Sequence, residues 1–118
     1  MADMGLFIGW GQPVRGREAK SLDVFNESMQ FWQRLQEQGR IESYEVGLLA
    51  PHGGDLGGFA LMRGSREQFD AVEADEEFQR MLTRADLIVE RLGVVRVAMA
   101  EAMGQQLALF RGAIGELT

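Results

Sequence analysis

The sequence has no cysteine, one histidine, one tyrosine and two prolines among its 118 residues. Without cysteine there can be no disulfide, no thiolate nucleophile and no cysteine-ligated zinc or iron–sulfur centre. No Ser-His-Asp order, zinc-ligand spacing or dinucleotide fingerprint is present, so neither a metal nor a cofactor is expected. Nor does any run approach the ~20 apolar residues of a membrane helix. The first ten residues, MADMGLFIGW, carry an early acid and no basic region. They do not read as a signal peptide, and the expected location is cytoplasmic. Positive charge is also scarce: 12 Lys and Arg face 18 Asp and Glu, a net charge of −6. Nucleic-acid binders draw affinity from phosphate neutralisation, so nucleic acid is not the expected partner.

What is present is an ordinary globular mixture, 46% hydrophobic and 25% charged. The length suits one domain, with a core over about residues 5–100 and a tail over 101–118. Gly5 to Gly11 (GLFIGWG) is apolar, aromatic and bounded by glycine, which reads as a strand. After a loop at 12–17 the period changes. Leu22, Phe25, Met29, Trp32 and Leu35 recur at threes and fours, one stripe of an amphipathic helix that Gly39 should stop. Arg40 to Ala50 and Leu56 to Arg63 read as two strands of a hairpin joined by Pro51-His52-Gly53-Gly54-Asp55. Ser65 and Gln68 have capping-box spacing at a helix start. A break at Ala74-Asp75 is followed by a stripe at Phe78, Met81, Leu82, Ala85, Ile88, Val89 and Leu92, which predicts helix up to Gly93. Val94 to Ala100 reads as the fourth strand. Leu107, Phe110, Ile114 and Leu117 suggest a short helix near 103–115, although Gly112 and Gly115 each weaken it by roughly 1 kcal/mol.

The order is β-α-β-β-α-β, the α+β ferredoxin-like arrangement. It implies a four-stranded antiparallel sheet with helices on one face and a short helical tail. A sheet with one wet face should alternate apolar and polar residues. These strands do not. Leu6, Phe7, Ile8 and Trp10 are apolar without alternation, as are Phe59 to Met62 and, around Arg96, Val94 to Met99. Helices cover one face only, so something else must cover the other. At roughly 25 cal/mol per Å², a patch of about 600 Å² corresponds to ~15 kcal/mol before association costs. A second copy of the chain is the expected cover, and the tail is the alternative.

Element order, the two-sided strands and the passage EFQRMLTRADLIVERLGVVRVA (77–98) together resemble the dimeric α/β-barrel superfamily, over about Leu6 to Ala100. Its members are ferredoxin-like protomers whose sheets face each other across a two-fold axis. They include antibiotic-biosynthesis-type monooxygenases, stress-responsive barrel proteins, muconolactone-isomerase-like and YCII-like proteins. The resemblance implies a homodimer through the sheet face. It leaves chemistry open, because this fold hosts many activities.

Candidate site residues follow from chemistry. His52 is the sole histidine and a possible general base, though its turn equally suits a solvated loop residue. Tyr44 offers a hydroxyl to a carbonyl or phenolate. Trp10, Phe31, Trp32 and Phe59, with Tyr44, could wall an aromatic pocket between sheet and helices near the strand ends. Arg63, like Arg15 and Arg17, could hold a carboxylate. Arg96, inside an apolar strand, needs an acid, for which Glu42 or Glu45 are candidates. The first functional expectation is a homodimeric binding or accessory protein for a small apolar or aromatic ligand. The alternatives are a cofactor-independent monooxygenase or isomerase for an aromatic or polyketide-like compound, and a purely structural or regulatory dimer.

Overall fold

A computed structural model describes residues 3–118. The chain runs β1 (Met4–Trp10), α1 (Glu18–Glu37), β2 (Ser43–Leu48), β3 (Gly58–Gly64), α2 (Arg66–Ala74), α3 (Glu76–Asp86), β4 (Gly93–Ala98) and α4 (Ala100–Leu117). The four strands form one antiparallel sheet in the order β2-β3-β1-β4. This is the ferredoxin-like arrangement expected from the pattern, with its second helix in two pieces and a longer tail helix.

Register decides which side chains share a face. Leu6 pairs with Met62 and Arg96, and Tyr44 pairs with Met62, so these four form one row across the sheet. Val46, Ala60, Ile8 and Val94 form the next row. Both rows lie on the helix side, and Leu6, Ala60 and Met62 are fully buried there. From the helix layer, Phe31, Trp32 and Leu35 of α1, Phe69 and Val72 of α2 and Phe78 of α3 close over them. In α1 the buried stripe is Val24, Ser28, Phe31, Trp32 and Leu35, rotated from the spacing of the most hydrophobic residues. Leu22 is 66% exposed instead.

The opposite face carries the alternate residues in rows Ser43-Arg63-Gly5-Val97, Glu45-Leu61-Phe7-Val95 and Gly47-Phe59-Gly9-Gly93. Phe7 and Phe59 stack at 5.7 Å with their planes 12° apart. A Cβ on Gly9 would sit 2.9 Å from the Phe7 ring, and one on Gly47 would sit 2.7 Å from the Phe59 ring. Each ring therefore lies down over a glycine and makes a flat apolar platform. No helix covers it, and Val95 is 55% exposed.

Local sequence explains most element ends. Ser65 accepts from the Gln68 N–H while the Gln68 side chain accepts from the Ser65 N–H, completing the capping box of α2. Asp75 caps α3 through the Glu77 N–H and pairs with Arg40 at 2.7 Å. The expectation that α3 reaches Gly93 fails, because its helix ends at Asp86. Residues 88–90 instead turn to lie beside 11–14, with hydrogen bonds from Gly11 N–H to Glu90 O, Glu90 N–H to Gln12 O and Val14 N–H to Ile88 O, each 2.8 Å. The Ile88 and Val89 N–H groups still donate to Ala85 O at 3.0 Å, so the helix gives way on its carbonyl side, where Ile88 O and Glu90 O accept from Val14 and Gly11 instead.

Arg96 meets neither Glu42 nor Glu45. It points to the helix side, where it is hydrogen-bonded to Glu73, pairs with Asp70 at 3.0 Å and lies over the Phe69 ring. The Glu73 hydrogen bond holds its guanidinium pKa above the usual arginine value. Helix α4 buries only Ala102, so the tail does not cover the sheet. Its stripe of Met103, Leu107, Phe110, Ile114 and Leu117 faces solvent in the single chain.

Candidate functional site

At the end of β1 and β3, between sheet and helices, lies a cavity of about 680 Å³. That is within the usual range for small-molecule sites, roughly 300–1,000 Å³. Its floor is Ile8 and Trp10 of β1. One wall is α1, through Val24, Phe25, Ser28 and Trp32, and another is α3 and its extension, through Met81, Leu82, Ala85, Ile88 and Leu92. The hairpin loop at 48–54 and 56–57 forms the rim.

Trp10 pairs with Gly58 across the sheet, and a Cβ on Gly58 would lie 2.7 Å from the Trp10 indole. Glycine there lets the indole lie flat over β3. Its outer edge meets Phe25 edge-on at 6.0 Å. The rim is fastened to β1 by the Gly57 N–H donating to Trp10 O at 2.7 Å.

The cavity is short of polar groups, and most of those present are engaged. Ser21 donates to Glu18 O, and buried Ser28 donates to Val24 O at 2.8 Å. His52 Nδ1 accepts from the Gly54 N–H at 3.1 Å, and Nε2 lies 2.7 Å from Leu56 O. An Nδ1 that accepts must lack a proton, so in the neutral ring Nε2 carries it and donates to Leu56. Both ring nitrogens therefore serve the loop. None of the described residues lining the cavity is Asp, Glu, Lys or Arg. Trp32 differs from the rest. It is 2% exposed, and its Nε1–H has no hydrogen-bond partner.

Of the residues singled out from sequence, Trp10, Trp32 and His52 line the cavity, whereas Arg15, Arg17, Phe31, Tyr44, Phe59 and Arg63 do not. Phe31 is turned into the core against Phe78, under the Arg34 guanidinium. Tyr44 packs on Trp32, and its hydroxyl donates to Gln33 Oε1 at 2.8 Å, so it is a wall behind the tryptophan. Phe59 and Arg63 sit on the uncovered sheet face, where Arg63 pairs with Glu45 at 3.2 Å. Strand parity alone puts them there. Sequence reasoning missed Phe25, Ser28, Leu82, Ala85 and Ile88 as lining, reading them as core stripe or not at all. The signal available was the helical spacing of Ser28 with Trp32, a polar residue one turn from an indole on one helix face. Among the described residues, no three His, Cys, Asp or Glu side chains gather into a metal-ligating group, and no helix is long and apolar enough to cross a membrane.

No family model and no curated protein matches the chain, but solved structures do. One is a dimeric ferredoxin-like protein of unknown function from a Jannaschia species. It is 13% identical, with a TM-score of 0.65 over 81% of this chain and 99% of that one. A second is a dimeric protein of unknown function with a ferredoxin-like fold from Bacteroides fragilis. It is 15% identical, with a TM-score of 0.61 over 82% and 97%. A third is a variant of SnoaB, a cofactor-independent oxygenase from Streptomyces nogalater. It is 16% identical, with a TM-score of 0.59 over 82% and 93%. At these identities the likeness is one of fold.

Proposed function

We propose that the chain is a homodimeric small-molecule-binding protein, joined through the uncovered sheet face, with one apolar ligand per protomer in the cavity on the other face. One observation carries this reading: β1, β3 and β4 are apolar on both sides, yet only one side is roofed, and that side holds a cavity. A second copy is the occupant argued for the open face. The platform of Phe7, Phe59, Leu61, Val95 and Val97 is flat and can meet itself across a two-fold axis. The exposed stripe of α4 adds apolar area towards the ~800 Å² per partner of a standard interface. The Jannaschia and Bacteroides proteins of like fold are described as dimeric.

The cavity reading is tested with Nile red, a neutral fluorescent dye. One dye per protomer is expected. Ala85→Trp, which fills the cavity from α3, is expected to weaken binding more than tenfold while leaving mass by light scattering unchanged. Equal binding by the variant would discard the cavity as the site.

A second reading, cofactor-independent oxygenation, is favoured by the SnoaB likeness and the indole-walled cavity. Such chemistry needs a base to take a substrate proton, and the lining offers only His52, which must first leave its loop. Oxygen uptake on a hydroxyquinone, lost in His52→Ala, would promote this reading. No uptake would end it.

A further inference from the structure

We propose that α4 is a dimerisation arm: its apolar stripe pairs with the α4 stripe of a second copy, in the same two-fold dimer that joins the sheet platforms. This rests on reading the platform as a dimer face. In the single chain the helix has little to hold it. It spans 18 residues, about 27 Å at 1.5 Å per residue, yet buries only Ala102. The radius of gyration is 16.4 Å and the longest extent 52 Å, where a compact domain of this length has a radius of roughly 13.5 Å. No slack linker intervenes. Only Met99 separates β4 from α4, and Ala100 takes the left-handed φ of 50°, so the backbone itself aims the helix.

Spacing identifies the partner. Met103, Leu107, Phe110, Ile114 and Leu117 follow one another at four, three, four and three residues and are 46–87% exposed. That alternation makes a narrow seam, which fits one facing helix knobs-into-holes, rather than the wider stripe a helix lays on a sheet. Leu109 stands off this line. Beside the seam lie Gly104, Gln106, Arg111 and Ala113. They bring a single charge to oppose a second copy, and two are small enough to let a backbone come close. A membrane surface would draw on lysine and arginine along the helix, and Arg111 is the only one there. Area points to the same copy. Among the described residues, eleven large hydrophobic side chains are exposed, of which six are on α4 and only Val95 is on the platform. The arm thus holds most of the exposed apolar surface that a standard interface of ~800 Å² per partner would draw on. Arm and platform are also continuous. The Met99 sulfur lies 3.9 Å from the Arg63 guanidinium and 2.9 Å from where a Cβ on Gly5 would sit, both on the uncovered face, and Met103 is one turn further on. Two repeats are too few to hold a helix pair alone, so the seam extends the sheet interface and does not replace it.

The absence of cysteine allows a test with single thiols. Phe110→Cys places one at the middle of the seam, and Gln105→Cys places one on the far side of the same helix. With a short bis-maleimide, Phe110→Cys is expected to give covalent pairs and Gln105→Cys none. Sedimentation equilibrium reads the affinity. Phe110→Asp should raise the dimer dissociation constant more than about tenfold, and Gln105→Asp should leave it unchanged. If Phe110→Cys does not crosslink and Phe110→Asp dimerises as the parent does, the arm is overturned and the sheet dimer stands. If Phe110→Asp keeps the mass of a dimer but melts at a lower temperature, the stripe folds back on its own protomer. If the parent floats with phosphatidylcholine vesicles and Phe110→Asp does not, the stripe belongs to a membrane. Phe110→Cys that still crosslinks in the Val95→Asp background would assign the seam to a second interface. A parent that sediments as a monomer ends the dimer reading and this inference with it.

Discussion

Both faces of the sheet carry large apolar side chains, and the two meet opposite fates. On the helix side, Leu6, Ile8, Ala60 and Met62 are buried under three helices, and toward the strand ends the same layer opens into the cavity. On the other side, Phe7, Phe59, Leu61, Val95 and Val97 make a flat platform that no helix of the described residues covers. The inner face is uneven because helices bring large and small side chains to it at irregular heights, which leaves room for a ligand. The outer face is level because its two phenylalanine rings lie over glycines. The same hydrophobicity thus takes two shapes: a concave face of a size that suits a small molecule, and a flat one that suits a large partner.

Substitutions of equal chemistry on the two faces should separate these uses. The largest effect is expected from Leu6→Asp. A carboxylate at a fully buried position without a partner costs several kcal/mol, comparable with the whole stability of a domain. Circular dichroism should show loss of the cooperative melt. Val95→Asp, on the adjacent strand but the opposite face, should leave a folded protein whose light-scattering mass halves at micromolar concentration. Nile red binding per protomer should persist. A parent protein that scatters as a monomer would remove the contrast altogether.

A smaller effect sharpens the picture of the inner layer. Asp75 joins α2 to α3 and is held below the usual aspartate pKa, first by its hydrogen bond from Arg40 and then by the Glu77 N–H. A carboxylate depressed in the folded state adds stability above its ordinary pKa and loses it as pH falls through the depressed value. Asp75→Asn should therefore lower the melting temperature slightly near neutrality. The gap between parent and variant should close as the pH falls through the depressed value. A gap that widens in acid would contradict the sign.

Much of the fold was readable without coordinates. The element order, the capping box at Ser65 and Gln68 and the break at Asp75 all follow from short-range rules, because caps and turns involve residues a few positions apart. The candidate site was less readable. Trp10 and Trp32 reach the cavity, whereas Phe59 is across the sheet and Phe31 is in the core. Aromatic character announces burial but not where. The role of His52 was also hidden, since its two hydrogen bonds go to main-chain groups of its own loop, which any residues supply.

The sequence by itself determined that this sheet would be apolar on both faces, because composition along a strand does not depend on register. It could not say which residues meet the helices. The side-chain period of a strand is two, and a shift of one residue exchanges every pair. Only the tertiary pairing of β1 with β3 and β4 turned Trp10 inward and Phe59 and Arg63 outward. Only the backbone pairing of 88–90 with 11–14 set the course of the chain after α3 and shaped the cavity wall. The unsatisfied N–H of Trp32 belongs to the same class of fact, since whether a donor has a partner depends on the whole fold around it.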